Sequence, residues 1–384
     1  MTRAHNFCAG PAALPQSVLE HAQAELLNWS GGGTSVMEVS HRSPAFVDAA
    51  SQAEAALRRL LGMTDDYAVL FLQGGASLQF ASVPLNLSAT GQSVDQVVTG
   101  QWSKKALQEG QRFGPVNVAA TSKASNFTTV PPQDGWQLDA NAAYLHYCPN
   151  ETIGGLEFDF VPRVEAPLVA DMSSTILSRP IDVQQYGVIY AGAQKNIGPA
   201  GLCLVIVHRE LLGRARAETP AMLNWQTAAD NDSMYNTPPT FALYLTGLVF
   251  QWLENLGGLE EMAAINRRKA GMLYRVIDES DFYGNPVEAM SRSLMNVPFT
   301  LADDRLDPIF LQEAEEARLL NLKGHRSVGG MRASLYNAVE EASVDALCDF
   351  MQDFEHRHGQ ETRRGGTPRT PMNNSARLAR PLPP

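Results

Sequence analysis

Cysteine is scarce in this chain: Cys8, Cys148, Cys203 and Cys348 are the four in 384 residues, far apart and with no CxxC pair. That spacing gives neither a disulfide framework nor a zinc motif, and Cys203 and Cys348, lying in apolar patterns, read as core. No metal is expected. Also missing is any apolar run of membrane-spanning length, and no apolar h-region follows the single charge in residues 1–6. The expectation is a cytoplasmic protein with no membrane partner. Positive charge is in short supply, with 30 Lys and Arg against 41 Asp and Glu and a net charge of −11. From residue 360 onward the balance reverses, because Arg363, Arg364, Arg369, Arg377 and Arg380 face only Glu361, a net +4 that leaves −15 on the rest. A body this acidic excludes general nucleic-acid binding, so an anionic ligand must be held by a local cluster of cations. The dinucleotide pattern GxGxxG is absent as well.

What the chain does have is apolar content, 44% of its residues, enough for a large domain and a smaller one. Continuous apolar strands are expected at residues 68–72, 96–99, 143–147, 168–171, 187–191 and 202–207, alternating with helices and turns. That alternation implies an α/β fold with a mostly parallel sheet covered on both faces. Residues 1–15 read as a Pro-punctuated entry segment, 16–257 as the large domain, 258–359 as a smaller α+β C-terminal domain, and 360–384 as a disordered basic tail. Helices are expected to open at Ser43-Pro44, near Leu78, at residues 241–256 and on to about 280, at 307–320 and from Ser343.

In such sheets ligands sit beyond the C-terminal strand edge. The residues there include Ala76-Ser77, Trp102, Asn150-Glu151-Thr152, Asp171-Met172-Ser173-Ser174 and Gln194-Lys195. Lys195 follows an apolar run and precedes a Gly/Pro-rich turn, so desolvation of its ammonium would free the amine to attack a carbonyl. On composition alone a surface lysine in a turn fits equally well. Gln73-Gly74-Gly75-Ala76-Ser77, between strand and helix, makes an anion seat from free backbone N–H groups and the positive dipole end. Together these residues fit pyridoxal phosphate. Lys195 would form the Schiff base, Asp171 would pair with the pyridinium nitrogen, the helix N-terminus would take the phosphate and the Trp102 indole would stack on the ring.

Six stretches carry a specific resemblance. They are Val36-Met37-Glu38-Val39-Ser40-His41-Arg42, residues 146–155, Ala170-Asp171-Met172-Ser173-Ser174, residues 191–201, Asn236-Thr237-Pro238-Pro239-Thr240-Phe241 and residues 324–334. In register from residue 6 to 359, the chain resembles the phosphoserine aminotransferase family of class V pyridoxal-phosphate enzymes. The resemblance implies fold type I and a homodimer with shared active sites. It also implies amino transfer from L-glutamate to 3-phosphohydroxypyruvate in serine biosynthesis, with 4-phosphohydroxythreonine as a further product in pyridoxine biosynthesis. Carried over by position, Lys195 is the Schiff-base lysine, Asp171 the ring-nitrogen partner, Trp102 the stacking ring and Thr152 the donor to the ring oxygen. Ala76, Ser77 and Gln194 bind the cofactor phosphate, with Asn236 and Thr237 reaching in from the other subunit. His41, Arg42, His325, Arg326 and Arg332 hold the substrate's anionic groups, a task suited to arginine's planar fork.

Two departures stand out. The phosphate turn reads Gly74-Gly75-Ala76-Ser77-Leu78-Gln79, where some members carry Gly-Gly-Gly-Arg-Gly-Gln, so an arginine is missing there. The stretch beyond Gly359 has no counterpart in the family pattern. Two rival readings remain: another class V activity such as a cysteine desulfurase or alanine–glyoxylate aminotransferase, and an α/β protein that binds a phosphorylated metabolite without chemistry. A desulfurase needs a nucleophilic cysteine in a mobile loop, where none of the four is expected, and the second reading leaves Lys195 and Asp171 without roles.

Overall fold

The computed structural model describes residues 3–365. The chain opens with the short strand β1 (His5–Asn6) and the helices α1 (Gln16–Glu25) and α2 (Pro44–Leu61). Ser43 caps α2 through its side chain with Pro44 at the first position, as expected. The alternating region then runs β2 (Tyr67–Leu72), α3 (Gly75–Leu87), β3 (Val94–Val98), α4 (Gln101–Gly110), β4 (Val116–Thr121) and β5 (Leu145–Tyr147). After the hairpin β6 (Asn150–Glu151) and β7 (Leu156–Glu157) it continues with β8 (Leu168–Asp171), β9 (Val188–Gly192) and β10 (Cys203–His208).

These strands build one seven-stranded sheet of order β2-β10-β9-β8-β5-β3-β4. Neighbours are parallel except at β10, which is antiparallel to β2 and β9. The mostly parallel α/β class read from the sequence is therefore the class observed. Its central strands are buried along their whole length because an apolar layer covers each face. β4 escaped the sequence reading: it is the edge strand, and its partly exposed residues make no continuous apolar run. α3 starts at Gly75 rather than near Leu78, since Gly74 (φ 86°) and Gly75 (φ 63°) turn the chain straight into it.

After α5 (Trp225–Ala229), α6 (Thr240–Leu256) and α7 (Gly258–Asp278) carry the chain out of the large sheet. The remainder comprises β11 (Tyr283–Gly284), β12 (Asn296–Leu301), α8 (Asp307–Glu316), β13 (Leu319–Leu320), β14 (Met331–Ser334) and α9 (Glu341–Gly365). It packs around its own core of Leu273, Phe299, Phe310, Leu347 and Phe354. α7 belongs to both cores: Leu259 and Met262 face the large one, Ala270, Leu273 and Ile277 the small one. The N-terminal segment joins the small core, with β1 parallel to β13 and Phe7 fully buried. α8 stops at Glu316, short of residue 320, because the chain turns at Arg318 (φ 62°) into β13. The last helix corrects the expected boundary at 359. Gln360, Glu361, Arg363 and Arg364 are adequate helix formers, and α9 continues through Gly365. The rest of the expected tail lies outside the described residues. Among those residues no helix is long and apolar enough to cross a membrane.

Candidate active site

Lys195 stands where β9 leaves the sheet. The turn is closed by Lys195 N–H and Gly198 N–H donating to Ala193 O at 2.7 and 2.8 Å, and Ala193 N–H donates to Leu202 O at 3.0 Å. Gly198 presses on α6: a Cβ there would lie 2.5 Å from Thr246 Oγ1, so only glycine fits. The lysine is 9% exposed, and its Nζ donates to Thr152 Oγ1 at 2.7 Å and Ser174 Oγ at 2.8 Å. Those hydroxyls are themselves 2.7 Å apart. The rings of Trp102 and Tyr336 flank the amine, with centroids 6.0 and 5.9 Å from Nζ. Lys195 is a buried amine in a small hydroxyl-lined seat.

Asp171, the last residue of β8, is also buried. Its Oδ1 accepts from Ser173 N–H at 3.0 Å and Ser173 Oγ–H at 2.5 Å, while Oδ2 has no protein donor among the described residues. Burial pushes the carboxyl pKa up, opposed by Ser173 and by the charge of Lys195. A cation placed against Oδ2 would relieve that desolvation, and a protonated pyridine nitrogen is such a cation.

The anion seat forms at the start of α3. Glycine at position 74 offers no side-chain cap, so the first N–H groups, those of Ala76 and Ser77, stay free. Gly192 brings this seat close to the lysine's strand, since a Cβ on it would already stand 3.5 Å from Ala76 N. Gln194 packs its side chain against Gly10 and accepts Ala12 N–H at its carbonyl. Asn236 and Thr237 lie beside the seat in the same chain, where Gln73 Nε2 donates to Asn236 Oδ1 at 3.4 Å and Thr237 O at 3.1 Å. Seat, lysine, carboxylate with a free oxygen and indole together fit pyridoxal phosphate.

Arg332 on β14 is the clearest mark of a second anion site. Its Nη1 donates weakly to Thr152 O at 3.4 Å, its buried Nε has no partner, and no carboxylate pairs with it. Burial lowers its pKa, leaving a desolvated cation that awaits an anion. His325 titrates below its ordinary range, because burial and the charges of Arg332, Arg326 and Lys105 all oppose its protonation. The structure thus brings His325, Arg326 and Arg332 into one positive field. His41 and Arg42 are not joined to it within the chain. Arg42 is exposed, its backbone held by Ser40 Oγ, and His41 Nε2 is buried without a partner.

Sequence reasoning assigned no role to Ser174, Lys105, Glu151 or Tyr336. Ser174 stood in the quoted Asp-Met-Ser-Ser run, and Lys105 was detectable as a cation one helical turn past Trp102, its Nζ 4.3 Å from that ring's centroid. Of the cysteines, Cys148 and Cys203 are fully buried with pKa values raised by desolvation, and that of Cys348 is pushed up to about 12. Cys8 lies in a loop. That loop is tied down on both sides, by β1 and by Tyr336 Oη–H donating to Ala9 O at 3.2 Å.

Comparison with known proteins now gives this geometry a family. The sequence model of the Aminotransferase class-V family matches residues 4–347. A phosphoserine aminotransferase of Ectopseudomonas mendocina (strain ymp) is 62% identical over 357 residues, 93% of this chain and 99% of the relative. The solved phosphoserine aminotransferase of Bacillus circulans subsp. alkalophilus is 48% identical, superposes with a TM-score of 0.91 and is covered to 99%, against 93% of this chain. The pyridoxal-phosphate-bound phosphoserine aminotransferase of Trichomonas vaginalis is 43% identical with a TM-score of 0.88, covering 91% of this chain and 100% of that one. Fold, site and family match define a class V aminotransferase that uses pyridoxal phosphate. Within that class the chain belongs to the phosphoserine aminotransferase family.

Proposed function

We propose that the enzyme transfers the amino group of L-glutamate to 3-phosphohydroxypyruvate, reversibly, giving O-phospho-L-serine and 2-oxoglutarate. The observation that carries this reading is the half-buried Arg332, with no carboxylate partner among the described residues, beside His325 and Arg326 in an otherwise acidic chain. Both substrates present a carboxylate and a second anion, so one cation cluster serves both in turn. Arg332, on a strand and next to Thr152, suits the α-carboxylate common to all substrates, while the loop residues His325 and Arg326 suit the second anion.

When bound, pyridoxal phosphate supplies the electron sink that lets the substrate Cα lose a proton. Lys195 Nζ, left free once the substrate is bound, would be the base that takes the proton from the substrate Cα and delivers it to the carbon on the far side of the amino nitrogen, a 1,3 transfer. Thr152 and Ser174 hold Nζ at a fixed place for this shuttle. Thr152 would also donate to the ring oxygen. Asp171 would pair through Oδ2 with a protonated ring nitrogen, with Ser173 fixing the carboxylate's orientation. Ala76, Ser77 and Gln194 would seat the phosphate and Trp102 would cover the ring, while Tyr336, tied to Ala9 O, stands beside the amine.

The assembly is a cytoplasmic homodimer in which Asn236 and Thr237 reach the phosphate of the other subunit's cofactor. The same assembly gives His41 and Arg42, which make no contact with Arg332 within one chain, their place at the substrate. The larger 4-phosphohydroxythreonine is a second product of the same phosphate site. A half-reaction assay tests the reading: purified enzyme is mixed with O-phosphoserine, L-alanine or L-cysteine, and loss of the bound cofactor's visible absorbance is followed. O-phosphoserine is expected to react far faster than alanine, and cysteine to release no sulfide. Equal rates with alanine, or sulfide from cysteine, would assign the chain to a rival class V activity.

A further inference from the structure

We propose that Glu151 is a positioning residue for the reaction, its carboxylate taking the place of the cap that α4 lacks and so fixing the Trp102 indole over the cofactor in register with Lys195. This rests on the reading of Trp102 as the stacking ring. α4 begins after Gly100, which has no side chain to cap it, and the cap comes instead from β6. Trp102 N–H donates to Glu151 Oε2 at 2.9 Å, and Ser103 N–H donates to Oε1 at 2.9 Å. Ser103 Oγ–H adds a third bond to Oε1 at 2.6 Å. Both oxygens are thereby bound to consecutive residues, one of them Trp102 itself. A negative charge also suits the positive end of the helix dipole.

The fit is close. Glu151 is 0% exposed, makes no ion pair, and its carboxyl group fills the space that a Cβ on Gly100 would need. A cap serving helix stability alone needs only Ser or Asp at position 100. Here it arrives from the residue next to Thr152, whose Oγ1 receives the Lys195 amine. On the other side, Asn150 Nδ2 donates to Asn296 Oδ1 at 2.8 Å, and Asn296 donates to Tyr336 Oη at 3.1 Å. Three consecutive residues therefore set the small domain, the indole and the amine relative to one another. The indole depends on this, because its own Nε1 is buried without a partner and only packing and the helix backbone orient it. An amide at 151 would put an NH2 group against a backbone N–H, and the helix start would shift.

The test is a double-mutant cycle on the holoenzyme with Glu151→Gln, Trp102→Ala and both. The readouts are the rate of pyridoxal phosphate release, the near-UV circular dichroism and the apoprotein melting temperature. Glu151→Gln is expected to speed release about tenfold or more and to change the aromatic dichroism, yet to change release less than about twofold on the Trp102→Ala background. Unchanged release in Glu151→Gln, or an equal effect on both backgrounds, overturns the inference while leaving the stacking role intact. Unchanged release in Trp102→Ala alone overturns the stacking role instead. If Glu151→Gln does not fold, Ser103→Ala removes one of the three donors and runs through the same cycle, with about a threefold effect on release expected and the same criterion of non-additivity.

Discussion

A lysine amine held by two hydroxyls can do only one thing that other residues here cannot: it attacks a carbonyl and then carries a proton from the same place. Lys195→Ala is accordingly expected to remove the visible absorbance of the bound cofactor and to abolish amino transfer, both read on purified protein. The substrate anions give a sharper residue-scale prediction. Removing one cation of a charge pair that becomes buried when the substrate binds costs on the order of 2–5 kcal/mol. Arg326→Ala should therefore lower kcat/KM for 3-phosphohydroxypyruvate far more than for pyruvate, while Arg332→Ala should lower both alike. A selective effect of Arg332→Ala would reverse the assignment of the two arginines. Lys105, exposed and within the field that lowers His325, adds a cation to the cluster of His325, Arg326 and Arg332. Lys105→Met should raise KM for the phosphorylated substrate only. The residue types and strand-edge positions of Lys195, Asp171 and Trp102 were legible in the sequence because apolar runs end abruptly beside them. The contacts of Lys105 and Ser174 were not, since they form between a helical turn or a loop and other elements only in three dimensions.

Between elements, the sheet holds a buried polar pair that the reaction does not use. His146 on β5 accepts at Nδ1 from Gln96 Nε2–H at 2.9 Å and shares a hydrogen bond between its Nε2 and Tyr190 Oη at 2.7 Å, and burial brings its pKa down to about 3. A histidine unfolded near 6.5 then binds a proton that the native state refuses, so stability falls as pH drops from 6.5 toward 3, by up to about 1.4 kcal/mol per pH unit. Above 6.5 the group is neutral in both states and this term is flat. Urea unfolding of His146→Gln should show a shallower loss of stability between pH 6.5 and 4.5 than the parent. A second brace ties α7 to the end of β14. Lys269, fully buried, donates to the carbonyls of Leu335 at 3.1 Å, Tyr336 at 2.9 Å and Val339 at 2.9 Å. Lys269→Met would leave the Leu335 and Val339 carbonyls without donors, while Tyr336 O keeps Val339 N–H at 2.9 Å, a loss of about 2–4 kcal/mol in urea unfolding. Sequence periodicity placed α6, α7 and β8 to β10 well, because their apolar positions repeat over many residues. It could not show a lysine on a helical face as anything but a solvated charge.

On the scale of the whole molecule, the order of strands and the two-core plan follow from how the elements alternate, whereas the second chain leaves few marks in one sequence. Those marks are residues with unfinished business: His41 with a buried Nε2 and no partner, Arg42 exposed on a loop, and Asn236 and Thr237 on a Pro-rich segment beside the phosphate turn. A closed two-fold dimer, the commonest assembly, would place each of these against the neighbouring subunit's site. If so, each site is built from both chains, and the damage done by Lys195→Ala and by a Thr237 substitution falls on different halves of it. A mixed dimer of Lys195→Ala and Thr237→Ala chains then contains one site carrying both lesions and one carrying neither. Each variant alone is expected to be inactive or nearly so. Unfolding the two together and refolding them should restore activity to roughly a quarter of the parent's, since random pairing makes about half the dimers mixed and each has one intact site. No recovery from the mixture, or a fully active monomer in sedimentation, would show that Thr237 serves the cofactor of its own chain.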